Sequence, residues 1–261
     1  MNFKSIPELF NFSGKTVIVT GGAMGIGYGI VLRFAEAGAN VVIADLAEEG
    51  QQKAEALSKE GKKVVFIKTD VSSEAEVKNL IEQTLQRFSS LDVLVNNAGI
   101  YPQKPVLQME LDLWEKIQAV NQRSVFLCSR EAAKVMIQKG SGNIVNIASI
   151  DSLHPSMVGL AAYDTSKHGV WGFTKNFALE VAQKGIRVNA IAPGGIATEG
   201  VAKMSGGGMP EEAIKQFEAK IPLKRFGQPD DIATAALFCA SPASSYMTGE
   251  IIVIDGGVLL N

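Results

Sequence analysis

Cysteine and histidine are scarce, with two of each in 261 residues. Cys128 and Cys239 both fall in apolar helical patterns, which suits core filling in a reducing compartment better than a disulfide. His154 and His168 have no cysteine cluster beside them, so no metal site is expected. An excess of one charge is missing too: the formal net charge is −2 and there is no basic block, which argues against nucleic acid as a partner. No uncharged run is long enough to span a membrane. The N-terminus, Met1 to Phe10, lacks the basic-then-apolar order of a signal peptide. These absences lead us to expect a soluble, cytoplasmic protein.

What is present is an alternation. Short Val/Ile-rich runs recur at Thr16–Thr20, Val41–Ala44, Val64–Ile67, Val93–Val95, Ile144–Ile147, Val188–Ile191 and Ile251–Ile254. Each reads as a strand buried on both faces. Helix-length segments lie between them: Gly25–Ala37, Glu48–Lys59, Ser73–Phe88, Asp112–Gln138, Ala162–Gln183 and Pro229–Ala240. Alternating β and α predicts an α/β, Rossmann-type doubly wound fold, a seven-stranded parallel sheet with helices on both faces. No second composition regime or linker interrupts it, so residues 1–261 read as a single domain. Ser73 with Glu76 has capping-box spacing, and Gly38, Gly61 and Gly185 each follow a helical pattern, where a left-handed residue ends a helix.

The first strand runs directly into Gly21-Gly-Ala-Met-Gly25-Ile-Gly27. Glycines here permit a tight turn and close approach of backbone to a pyrophosphate, and the helix that follows offers free N–H groups. This is dinucleotide-binding logic with a widened first gap. The second strand ends at Asp45, an acid suited to ribose hydroxyls and repelled by a 2′-phosphate. Met24 and Leu46 bring no cation to hold such a phosphate, so NAD is expected over NADP. Asp70, after the third strand, could contact adenine in the same way. The fourth strand ends in Asn96-Asn97-Ala98-Gly99, small enough to lie against a cofactor, with Asn97 also able to tie neighbouring strands together.

Tyr163 and Lys167 stand four apart, on one face of a predicted helix. A nearby ammonium favours phenolate over phenol, so the spacing predicts a lowered tyrosine pKa and a residue able to exchange protons. Ser149 follows a strand, at the edge where such sheets bind ligands.

The ordered set Thr20-Gly21-x-x-x-Gly25-x-Gly27, Asn96-Asn97-Ala98-Gly99, Asn121, Ser149, Tyr163-x-x-x-Lys167 and Pro193-Gly194 with Thr198 resembles the short-chain dehydrogenase/reductase family over nearly the whole chain. The resemblance implies a catalytic tetrad of Asn121, Ser149, Tyr163 and Lys167. Tyr163 would move the proton, Ser149 would hydrogen-bond the substrate oxygen, Lys167 would also bond the nicotinamide ribose, and Asn121 would hold a relay water. The implied cofactor contacts are Gly21, Met24, Gly25, Ile26, Gly27, Asp45, Leu46, Asp70, Val71, Asn97, Ala98, Gly99, Tyr163, Lys167, Pro193, Gly194, Ile196 and Thr198.

Residues 195–223, with Gly200, Gly206 to Gly208, Met204, Met209 and Pro210, read as a flap over the substrate, or else as a disordered surface loop. The loops Ile150 to Met157 and Ile100 to Gln103 complete the substrate side. Asp151, Ser152, His154 and Glu199 suit a sugar or polyol, as in glucose or sugar-acid dehydrogenases; Leu153 and Met157 suit an apolar ketone. A 3-oxoacyl-carrier-protein reductase and a steroid or other bulky-ketone dehydrogenase stay open, as does a catalytically silent dinucleotide sensor. The terminal strand resembles the family's tetramer-forming end, and 112–138 and 162–183 are apolar on more than one face, so a homotetramer is expected.

Overall fold

The computed structural model describes residues 3–199 and 211–260. Its first helix is a short capped turn, α1 (Ile6–Leu9). The remaining elements alternate: β1 (Thr16–Thr20), α2 (Gly25–Glu36), β2 (Asn40–Asp45), α3 (Glu49–Lys59), β3 (Val64–Lys68), α4 (Glu74–Phe88) and β4 (Val93–Asn96). They continue with α5 (Leu111–Gln118), α6 (Ser124–Lys139), β5 (Gly142–Ile147), α7 (Ala161–Val181), β6 (Ile186–Pro193), α8 (Glu211–Lys220), α9 (Pro229–Ala240) and β7 (Ile251–Ile254). All seven expected strands form, and every pairing between them is parallel, in the order β3-β2-β1-β4-β5-β6-β7. No helix among the described residues is long and apolar enough to cross a membrane.

Side chains alternate across each strand, so one sheet divides two cores. Val17, Val19, Val41 and Ile43 pack with Ile30 and Phe34 of α2 and Ile232 of α9. Ile18, Val42, Ala44 and Leu94 face the other way, against Val77 and Leu80 of α4 and Cys128 and Ala132 of α6. Cys128 and Cys239 are both free and buried. Strands covered on both faces keep no polar side, which is why they read as apolar runs.

A buried polar chain crosses beneath the sheet's carboxyl edge. Asn96 Nδ2 donates to Ser129 Oγ (2.9 Å) and Asn146 Oδ1 (2.8 Å), and Asn146 Nδ2 donates to Thr174 Oγ1 (2.9 Å). It fastens β4 and β5 to α6 and α7, the elements that carry the candidate catalytic groups. Each such bond is worth about 1 kcal/mol net.

Three expectations are corrected. The segment 112–138 is not one helix: between α5 and α6 the chain widens to a π-turn at Ala119–Arg123, where the Ser124 N–H reaches the Ala119 carbonyl. Glu76 does not complete a capping box; Ser73 Oγ accepts from its N–H, but its carboxylate takes the Asp70 N–H instead. The stretch 195–223 is not wholly loop, because Ile196 bridges to Gly227 and α8 lies within it. Gly200, Met204, Gly206 to Gly208, Met209 and Pro210 lie outside the described residues.

Candidate active site

Strand order reverses between β1 and β4, and a crevice opens there at the carboxyl ends of the strands. The glycine turn leaves β1 on one side of it. Gly21 (φ +63°) and Gly25 (φ +53°) take left-handed backbone that a side chain would strain. A Cβ on Gly21 would lie 2.8 Å from Ala98 Cα, and one on Gly27 would overlap the Gly21 carbonyl oxygen. Met24 caps α2 in extended conformation with no side-chain hydrogen bond, so the first-turn amides have no side-chain acceptor there. Bare amides, a dipole end and a Cβ-free cradle together fit the pyrophosphate of a dinucleotide.

Neighbouring side chains lock this cradle. Asn97 Nδ2 donates to the Thr20 (3.0 Å) and Gly21 (2.9 Å) carbonyls, and Thr20 Oγ1 accepts from the Asn97 (3.0 Å) and Ala98 (3.1 Å) amides. Asn97 is therefore a strand tie, and Thr20 is its partner, a role that the motif reading assigned to neither hydroxyl nor backbone. Asp45 accepts from the Ala23 N–H (2.9 Å) and the Ala47 N–H (3.0 Å), which fixes the turn against β2. A carboxylate has further lone pairs to offer a ribose. Leu46 and Asp70 meet at a cavity of about 330 Å³ shared with Ser72, Ala119, Val120 and Arg123. Asp70 is held by the Ser72 N–H (2.9 Å) and hydroxyl (2.7 Å).

The other expected contacts differ in how their side chains pack. Ile26 packs against one core and Val71 lies in the other. Gly194 follows Pro193 tightly against Asp255, where a Cβ would come within 2.7 Å of its Cα. Ile196 is buried. Thr198 does close over the glycine turn, its Cβ 3.3 Å from where a Gly25 Cβ would stand.

The opposite wall is α7. Ser166, Val170, Thr174, Ala178 and Val181 form its buried stripe, and Tyr163 and Lys167 head that stripe where the sheet ends. Lys167 is buried, and its Nζ donates to the Ile147 carbonyl at the end of β5 (2.7 Å). A Cβ built on Gly99 would lie 3.7 Å from Lys167 Nζ and 3.5 Å from Asn121 Oδ1, so these three converge. Asn121 is the reason the helix widens. Its Oδ1 accepts from the Ile100 N–H (2.8 Å), while Nδ2 donates to the Ile100 carbonyl (2.8 Å) and to Ser166 Oγ (3.0 Å). The extra residue per turn swings this amide onto the β4 loop, as π-turns at working sites do.

Ser149, two residues past the end of β5, is extended and caps a 3₁₀ turn, Ile150–Ser152. Its hydroxyl donates to Asp151 Oδ2 (2.9 Å) and accepts from the Asp151 N–H (3.1 Å). Its hydroxyl also acts on Tyr163, in the direction of a lower pKa. Tyr101 packs edge-on to Tyr163, ring centroids 6.1 Å apart. Tyr101 belongs to the Ile100 to Gln103 loop that the sequence reading placed on the substrate side.

The tyrosine's expected acidity is not what the fold imposes. Burial pushes the Tyr163 phenol well above its ordinary value, and the fields of Asp151, Tyr101 and Asp164 add to this, against the Ser149 hydrogen bond. Lys167 Nζ sits 5.7 Å from the ring centroid and is spent on a carbonyl; burial lowers its own pKa to about 8. Desolvation is the largest influence on the phenol. The arrangement is thus a neutral phenol beside a hydroxyl and a weakened ammonium, next to a dinucleotide cradle.

Known proteins share this construction. A family model described as enoyl-(acyl carrier protein) reductase matches residues 21–259. A 3-oxoacyl-(acyl-carrier-protein) reductase of Chlamydia pneumoniae is 42% identical over 246 residues, covering 94% of this chain and 97% of its own. A short-chain type dehydrogenase/reductase from Mycobacterium marinum superposes with a TM-score of 0.92 at 36% identity, over 98% of this chain and 100% of that one. A provisionally assigned NAD(P)-dependent gluconate 5-dehydrogenase from Beutenbergia cavernae, with NADP bound at low occupancy, gives 0.90 at 34% identity, over 97% and 100%. With matches that run along almost the full length, the chain belongs to the short-chain dehydrogenase/reductase family of oxidoreductases.

Proposed function

We propose that this chain, acting as one catalytic domain, is an NAD(H)-dependent dehydrogenase that interconverts a secondary alcohol and a ketone on a sugar, polyol or related small molecule. The observation that carries the reading is the convergence of Tyr163, Ser149, Lys167 and Asn121 beside the glycine cradle. In alcohol oxidation Tyr163 first gives up its own proton, the resulting phenolate Oη takes the substrate O–H proton, the carbinol C–H leaves as hydride and the C=O bond forms; reduction reverses each transfer. Bound NAD supplies the hydride acceptor. Ser149 stabilises charge on the substrate oxygen, Lys167 and Asn121 lead the proton outward, and Gly21, Gly25, Gly27, Asp45 and Thr198 hold the cofactor. The test is a panel of alcohols and ketones followed at the nicotinamide absorbance. Tight dinucleotide binding with no hydride transfer from any of them would favour a sensor instead.

The NAD preference rests on Asp45. The unmodified enzyme is expected to favour NAD over NADP by at least about tenfold in kcat/KM, and Asp45→Ala to narrow that ratio by about tenfold, the weight of one charge-assisted hydrogen bond. A faster reaction with NADP in the unmodified enzyme would sink the assignment. It would then favour the acyl-carrier reductase that the Chlamydia pneumoniae relative is named for.

The assembly we expect is a cytoplasmic homotetramer. Phe126 on α6 and Leu179 on α7 are 43% and 78% exposed, and Phe173 packs edge-on to Phe126 on the same side. Light scattering should give about four chain masses, the commonest closed assembly above a dimer; one chain mass at micromolar concentration would refute it.

A further inference from the structure

Four buried side-chain oxygens have no hydrogen-bond partner among the described residues, and three of them, Tyr101 Oη, Asp151 Oδ1 and Asp164 Oδ1, belong to groups whose fields act on Tyr163. Asp151 is the most telling. It is 6% exposed, and it sits in the turn directly after β5, two residues from Ser149. One carboxylate oxygen is committed to the Ser149 hydroxyl. The other points to no donor that the described residues supply, although a buried carboxylate oxygen without a donor is costly. An acceptor-only group in this position calls for a donor from the substrate.

We propose that Asp151 is a specificity-determining residue: its free oxygen accepts a hydrogen bond from a second hydroxyl next to the reacting carbon, so that a neutral vicinal diol or polyol is preferred over a lone secondary alcohol. This rests on the dehydrogenase reading above and names its substrate class. Charge decides which donor fits. Asp151 is electrostatically coupled to the buried Lys167, so the pocket already holds one charge of each sign. A substrate ammonium would meet that lysine, and a substrate carboxylate or phosphate would meet Asp151. A neutral hydroxyl meets neither penalty. Tyr101, whose own hydroxyl is buried without a partner among the described residues, packs edge-on to Tyr163 and could offer a further substrate oxygen a donor or an acceptor.

Asp151 also holds Ser149, so its loss will slow every substrate. The informative quantity is therefore a ratio. The enzyme is supplied with whichever nicotinamide cofactor it uses faster and given 2,3-butanediol and 2-butanol, which differ by the second hydroxyl. The unmodified enzyme is expected to favour the diol in kcat/KM by about ten- to a hundredfold, as for a hydrogen bond to a charged acceptor. Asp151→Ala should bring the two alcohols close to parity, chiefly by raising KM for the diol. Asp151→Asn, which keeps a neutral acceptor, should fall between. NADH titration by fluorescence checks that each variant is folded.

Equal losses on both alcohols, with the ratio kept, would make Asp151 a positioning residue for Ser149 alone and overturn the proposal. So would a diol ratio that survives Asp151→Ala while turnover of 1-amino-2-propanol collapses. An unmodified enzyme that oxidises 2-butanol with no diol preference also defeats it, and leaves the dehydrogenase reading standing. Failure to transfer hydride with any alcohol or ketone, despite cofactor binding, defeats both.

Discussion

Tyr163→Phe is expected to lower kcat by about 10²–10⁴-fold, the span of a positioned acid–base group. NADH affinity should stay within about threefold, because the glycine cradle and Asp45 do not depend on the phenol. The pH profile supplies the second readout. Burial raises the Tyr163 pKa, so the phenol is the resting form at neutral pH. Ketone reduction, which needs that proton, should be flat through neutrality and decline only in alkali. Alcohol oxidation needs the deprotonated acceptor, so its kcat/KM should climb with pH into the alkaline range toward which burial moves the phenol. In the phenylalanine variant that climb should disappear. Wild-type rates, or an unchanged slope in the variant, would remove Tyr163 from proton transfer.

Gly27→Ala should abolish tight cofactor binding. The added methyl would overlap the Gly21 carbonyl oxygen and crowd Asn97 Nδ2, so the turn and its tie to β4 must both shift. Overpacking of this kind costs about 1–3 kcal/mol, or roughly 2–12 °C in Tm for a chain of this size. A displaced cradle should weaken NADH binding by at least about a hundredfold, near 2.8 kcal/mol. Gly172→Ala is the matched control. It is also a helical glycine, but nothing lies within 4 Å of its Cβ position. It should leave cofactor affinity alone and raise helix stability by about 0.5–1 kcal/mol. A folded Gly27→Ala protein with normal NADH affinity would show that the turn is not the pyrophosphate site.

Much of this was written in local pattern. Strands such as Thr16–Thr20 are covered on both faces, so their apolar runs mark them out without help from any partner. The glycine turn is legible for a similar reason, since close backbone contact excludes side chains and leaves glycine as a trace. The tetrad was legible only through the family resemblance, whereas the shared helical face of Tyr163 and Lys167 follows from spacing. What spacing could not give was the electrostatic outcome. Four residues on a helix bring an ammonium near a phenol, but whether its charge or the lost solvent prevails depends on what surrounds the pair.

The sequence by itself therefore determined the sheet and the order of its elements, and marked the glycine turn, because those depend on periodicity and on residues adjacent in the chain. The tertiary structure alone decided three things. It placed Asn121 in a π-turn, through bonds to Ile100, 21 residues away. It set Lys167 against the Ile147 carbonyl and buried the Tyr163 phenol so that its pKa is raised. It buried Asp151 with one oxygen on Ser149 and the other unpartnered among the described residues. Burial and long-range hydrogen bonding are properties of where separate segments meet, and no local spacing encodes them.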